Sequence, residues 1–265
     1  MPTPATSSTQ SDRIETATHV IHLRPRISAT KLAEYVFADP LRQRAILKQS
    51  KKALKSMTLR YRNVRDTVRD SFSANGFRAN EFLLRALELE MIQDLEGWDE
   101  TDNKLSVRAL RHLAALNSQI EISGATSVTI PQNGSNFLMV AGVRVSIHPS
   151  VVFSLIHSGV TKVGGVILNT GKDDGLSLAI GHGKYTSGDY LSTLLHLLLE
   201  KKYSLIGPVV HTKCYALDIF REKAYVAPRA HKMLQRHLTA ACETIAQLWE
   251  TVPADITPQT QEVLD

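Results

Sequence analysis

The chain has little cysteine and no long apolar run, and each shortage removes a class of protein. Two cysteines, Cys214 and Cys242, in 265 residues give neither a disulfide framework nor the paired spacing of a zinc site. No stretch approaches the roughly 18 consecutive apolar residues of a membrane span. The polar opening, with Thr3, Ser7, Ser8, Thr9 and Gln10, lacks the apolar core of a secretory signal. A cytoplasmic protein with buried thiols and no membrane partner is the expectation. His148, His157, His182, His196 and His211 show no His-x-x-x-His or His-Glu-x-x-His spacing, so no metal or other cofactor is expected from them.

Acidic charge is missing from one long window. Between Arg42 and Arg69 ten Lys or Arg residues stand against a single acid, Asp66, a net of +9 in a chain whose total is +5. A solvated helix face normally mixes signs. A surplus of one sign points to an anionic partner, and phosphate binding uses it through counterion release. Arg42, Arg44, Lys48, Lys51, Lys52, Lys55, Arg62, Arg65 and Arg69 are therefore the candidate nucleic-acid-binding residues. Nothing in their pattern implies base-specific readout.

What is present divides the chain. Residues 1–27, rich in Thr, Ser and Pro, predict a disordered or loosely attached segment. Residues 28–118 predict helices. Ser28 is an N-cap candidate, and Asp39-Pro40 marks a break and a fresh helix start. Ile46, Ala53, Leu54 and Met57 line one face of the next segment, with Arg44, Lys48, Lys51, Lys52 and Lys55 on another. A second basic helix over 61–72 stops at Asn75-Gly76. A third over 79–96 turns Leu84, Leu87, Met91 and Leu95 inward, and a fourth covers 104–117. Residues 119–252 change texture. Val143, Val145 and Ile147 alternate with polar residues as in a half-buried strand, while Val163–Leu168 is apolar throughout, as in a central one. A leucine-rich helix over 185–201, strands over 209–220 and 224–227, and a long helix after Pro228 complete the pattern. Residues 253–265 form a polar tail.

Hairpin, buried strand, helix, two strands and long helix follow one another from Phe137 to Trp249. This order, carried by Gly142–Asn169, the helix at 185–201 and the strands at 209–227, resembles the core of RecB-type PD-(D/E)XK nucleases. The blocks Ile27-Ser28-Ala29-Thr30-Lys31-Leu32-Ala33-Glu34-Tyr35 and Ala240-Ala241-Cys242-Glu243-Thr244-Ile245-Ala246-Gln247-Leu248-Trp249 are similar to an uncharacterised bacterial family with that fold. The resemblance implies an α/β protein: a helical N-terminal part on a PD-(D/E)XK-like mixed-sheet core flanked by helices. It also implies an acid near the hairpin and a (D/E)-x-K pair on the buried strand. Those acids would hold a divalent cation that activates water.

The positions that correspond are His148-Pro149-Ser150 and Gly165-Val166-Ile167, with no acid and no lysine. The expectation is a degenerate nuclease that binds nucleic acid, with non-specific DNA the expected form, without cutting it; no catalytic residue is assigned. Two alternatives stay open. Lys172, Asp173, Asp174, Lys184 and Asp218 could rebuild a site for Mg²⁺ or Mn²⁺ in an active nuclease, although Lys172-Asp173-Asp174-Gly175 is also ordinary turn chemistry. Alternatively the basic helices serve a protein-interaction subunit with an acidic partner. Asp218, between Leu217 and Ile219, needs a partner if buried.

Overall fold

The computed structural model describes residues 13–15, 19–54, 61–74, 77–93, 95–122, 124–128, 136–157, 159–171 and 185–253. It is an α/β protein built on a five-stranded mixed sheet. The sheet is ordered β11(Lys223–Val226), β10(Val209–Asp218), β9(Val160–Asn169), β8(Val151–His157), β5(Thr126–Val128). β8 and β9 form an antiparallel hairpin, and β9 runs parallel to β10 through a crossover helix, α6(Ser187–Tyr203). β11 and β5 close the two edges antiparallel to their neighbours.

The central strands read as apolar runs because both of their faces are buried. Val152, Val163, Ile167, Cys214 and Ala216 belong to one core; Val151, Phe153, Val166, Tyr215 and Leu217 belong to the other. On the first face lie α1(Ala29–Tyr35), α2(Pro40–Lys51), α6 and α7(His231–Leu248). A three-stranded sheet, β3(Arg26–Ser28), β7(Val143–Ser146) and β6(Phe137–Val140), packs with them. On the second lie α3(Arg62–Ala74), α4(Ala79–Glu90) and α5(Gly97–Leu116). The boundary drawn at residue 118 therefore separates textures but not cores, since each core draws residues from both sides of it.

Local signals start the elements as read. The Ser28 side chain accepts from the Lys31 N–H, and that of Asp39 from the Arg42 N–H, with Pro40 in the first turn of α2. Ala141 and Gly142, both at positive φ, make the tight turn between β6 and β7. Gly164 lies under Phe153 of the neighbouring strand. A Cβ there would fall 2.6 Å from the ring's Cζ and 2.5 Å from the Lys213 carbonyl oxygen, so only glycine lets the three strands approach.

Four expectations are corrected. The segment read as loose contains β1(Arg13–Glu15), β2(His19–His22) and β3; Ile21 and Ile27 are buried anchors within polar flanks. The basic helix ends at Lys51, and Lys52 begins β4(Lys52–Leu54), which pairs antiparallel with β2. The face of α4 is reversed. Phe82, Ala86 and Leu89 are buried against α5, while Leu84, Leu87 and Met91 face solvent. α4 carries two apolar stripes, and the one holding the phenylalanine buries more area. The helix stops at Glu90, and Gly97 opens α5 instead of ending α4. No helix among the described residues is long and apolar enough to cross a membrane.

Candidate functional site

The nine basic candidates separate into distinct roles. Arg42 bonds through its Nε to Glu34 Oε1 at 2.7 Å, a carboxylate that Lys31 shares. Lys51 donates to the carbonyl oxygens of Trp249 and Val252, so it closes the C-terminal end of α7. Arg69 pairs with Asp66 at 3.2 Å. Lys48 and Lys52 also have partners within the molecule. Lys55 lies outside the described residues, and Arg62 is the first residue of α3. Arg44 is exposed, and among the described residues it makes no ion pair. Arg65 remains, and it belongs to a cluster.

α3 is fixed by Val64, Val68 and Phe72, all buried, with the Phe72 ring stacked on Phe153 of β8 at 5.7 Å. Burial of each such side chain contributes about 1.5–3 kcal/mol. That anchoring leaves Arg65, one residue from Val64, half-buried and close enough for its charge to act on His148. His148 follows β7 where the chain passes from the small sheet to the central one. Its pKa is lowered by partial desolvation and then by the charges of Arg65 and Arg26, although the residue as a whole is exposed. Arg26, on β3, acts on the same imidazole. It is half-buried, its pKa is lowered by burial and by Arg144, and its Nη1 lies 3.5 Å from His22 Nδ1. The parallel register of β3 and β7 sets Arg26 opposite Arg144, whose guanidinium lies 4.2 Å from the Phe137 ring centroid.

Arg65 on α3 and Arg26 on β3 thus both act electrostatically on the exposed His148. Among the described residues neither Arg26 nor Arg65 forms an ion pair with a carboxylate. Such a group gains most from an oxyanion, to which a guanidinium presents paired donors. Arg26, Arg144 and His148 were not among the sequence candidates. A charge count along a window cannot register a cluster assembled by strand pairing more than a hundred residues apart.

The two stretches that correspond to the nuclease motif are neighbours. The Ser150 N–H donates to the Val166 carbonyl at 2.8 Å, and Val151 pairs with Val166 in the hairpin. Asp218 is buried at the end of β10. Its carboxylate accepts from Asn169 Nδ2 at 3.2 Å and from the Arg221 N–H at 3.3 Å, with the Arg221 guanidinium 4.0 Å away. The partner expected for a buried acid is thus present. Lys172, Asp173, Asp174 and Lys184, like His182, lie outside the described residues.

The dispersed histidines partly converge. His196, on α6, is buried with its Nδ1 3.7 Å from Cys214 Sγ and its Nε2 3.3 Å from Glu200; the His231 ring stands 5.1 Å away. Burial and then Glu200 push the Cys214 thiol up, and burial and then Glu243 push Cys242 up to about 12, so both remain protonated packing residues. No group of three or more His, Cys, Asp or Glu among the described residues is arranged to hold a metal ion. The chain matches no protein-family model and no curated protein sequence.

Proposed function

We propose that this protein binds nucleic acid through its phosphates, without reading sequence and without cutting, on a core of the RecB-type nuclease kind in the cytoplasm. The observation that carries the reading is that Arg26 and Arg65 both act on the exposed His148, with no carboxylate pair at either arginine among the described residues. Exposed Arg44 adds a further cation on α2. Binding of this kind neutralises like charges that the fold otherwise holds together. The absence of any acid at Ser150 and along Gly165-Val166-Ile167 supports binding without cleavage.

The test is the affinity for unrelated short duplexes as salt is raised. Counterion release predicts a log–log slope of roughly −0.9 per duplex phosphate contacted, the same for each sequence. Lack of binding at low salt would reject the reading and favour an acidic protein partner for the basic region.

A further inference from the structure

A chain of side chains joins α5 to the turn between β10 and β11. Glu222, in that turn, has a φ of 50°, the left-handed conformation that usually falls to glycine. Gln119 pins it there: its Nε2 donates to the Glu222 carbonyl oxygen at 2.9 Å, and its Oε1 accepts from the Ala224 N–H at 2.9 Å. The Glu222 carboxylate bonds Nδ1 of His112. Nε2 of the same ring lies 3.3 Å from Arg108 Nε. A guanidinium only donates, so Nε2 accepts and the ring proton sits on Nδ1, facing Glu222. The Arg108 guanidinium also stands 5.6 Å from the Phe220 ring centroid. Glu222, His112 and Phe220 thus hold in one place a surface arginine whose long side chain would otherwise sample many rotamers.

Arg108 lines a cavity of about 710 Å³, a volume suited to a small organic ligand, in which Ile92, Leu95 and Val107 form an apolar wall. The carboxylates that line it are committed: Glu90 pairs with Arg111 at 2.8 Å, Glu100 with Lys104 at 2.5 Å and Glu222 with His112. Arg108 forms no ion pair with a carboxylate among the described residues, and its two Nη groups have no partner there. Such a pair of donors matches a carboxylate. One open guanidinium calls for one negative charge; the acids already in the wall disfavour a phosphate monoester, which carries nearly two. We infer that this cavity binds a small organic monocarboxylate, its carboxylate on Arg108 and its hydrocarbon body against Ile92, Leu95 and Val107, with His112 and Glu222 as positioning residues. The site shares no residue with the Arg26 and Arg65 cluster, so it stands or falls apart from the phosphate reading.

The probe is octanoate, titrated into the full chain by calorimetry, with octanol and acetate as controls that carry the body or the charge alone. Saturable binding of octanoate at one site is expected, with both controls about tenfold weaker or more. Arg108→Gln, an exposed change that leaves the thermal midpoint in place, should weaken octanoate by about tenfold or more. His112→Phe, which keeps an aromatic ring but loses the acceptor, should weaken it too. His112→Gln, whose amide oxygen accepts from Arg108, should restore part of the loss, which a merely structural role for the ring would not produce. Arg26→Gln with Arg65→Gln should leave octanoate affinity unchanged. No octanoate binding, octanol bound as tightly, or full affinity in Arg108→Gln or His112→Phe would each overturn the proposal.

Discussion

Lys51 donates its ammonium to the Trp249 carbonyl oxygen at 2.7 Å and to that of Val252 at 2.8 Å, tying the end of α2 to the end of α7 across the first core. The Trp249 carbonyl, at the C-cap of α7, is one that the helix cannot satisfy itself. Trp249 is buried and its indole N–H donates to His22 of β2, so three elements meet at that point. Lys51→Ala should therefore lower stability by about 1.5–3 kcal/mol, the range for hydrogen bonds from a charged donor. Urea unfolding should show a lower midpoint with an unchanged slope. Arg44→Gln, on the same helix and exposed, should leave the midpoint where it is.

His196 makes stability depend on pH. Burial lowers its pKa; Glu200 opposes that shift, and His231 and His211 add to it. Cys214, the remaining titratable neighbour, stays a thiol. The fold thus holds His196 neutral. Its contribution is fully present above the unfolded-chain value of about 6.5 and is lost as pH falls below it. Unfolding midpoints should fall between pH 7.5 and pH 5, both chosen as roughly one unit or more either side of that value. His196→Gln should show a smaller fall, and an equal one would assign the pH dependence to other groups.

Cleavage should be absent. With Mg²⁺ or Mn²⁺ the wild-type chain should leave linear, nicked and single-stranded DNA intact. Asp218→Asn should affect folding instead, destabilising by about 1–3 kcal/mol because a buried donor set loses its charged acceptor. Reproducible cleavage lost in Asp173→Ala or in a folded Asp218→Asn variant would establish the metal-dependent alternative.

Much of the central architecture was legible because its strands are buried on both faces. Val163–Leu168 reads as a core strand for that reason, and the leucines of α6 pack between it and α7 as their spacing predicts. The face of α4 was not legible, since Phe82-Ala86-Leu89 and Leu84-Leu87-Met91 are both apolar stripes and only the packing of α5 chooses between them. β2 and β3 were masked by polar neighbours. The charge window found Arg65 but could not separate it from Lys51, which serves the end of α7. Arg26 and Arg144 join the cluster only through the pairing of β3 with β7.

The central claim is that Arg26 and Arg65 hold phosphate beside His148. It is tested most directly by the salt dependence of duplex binding for Arg26→Gln with Arg65→Gln, between about 50 and 200 mM. The claim predicts a folded variant whose log–log slope is less steep by about 1 for each phosphate no longer neutralised, with weakening equal across unrelated sequences. A folded double variant with wild-type slope and affinity would contradict it.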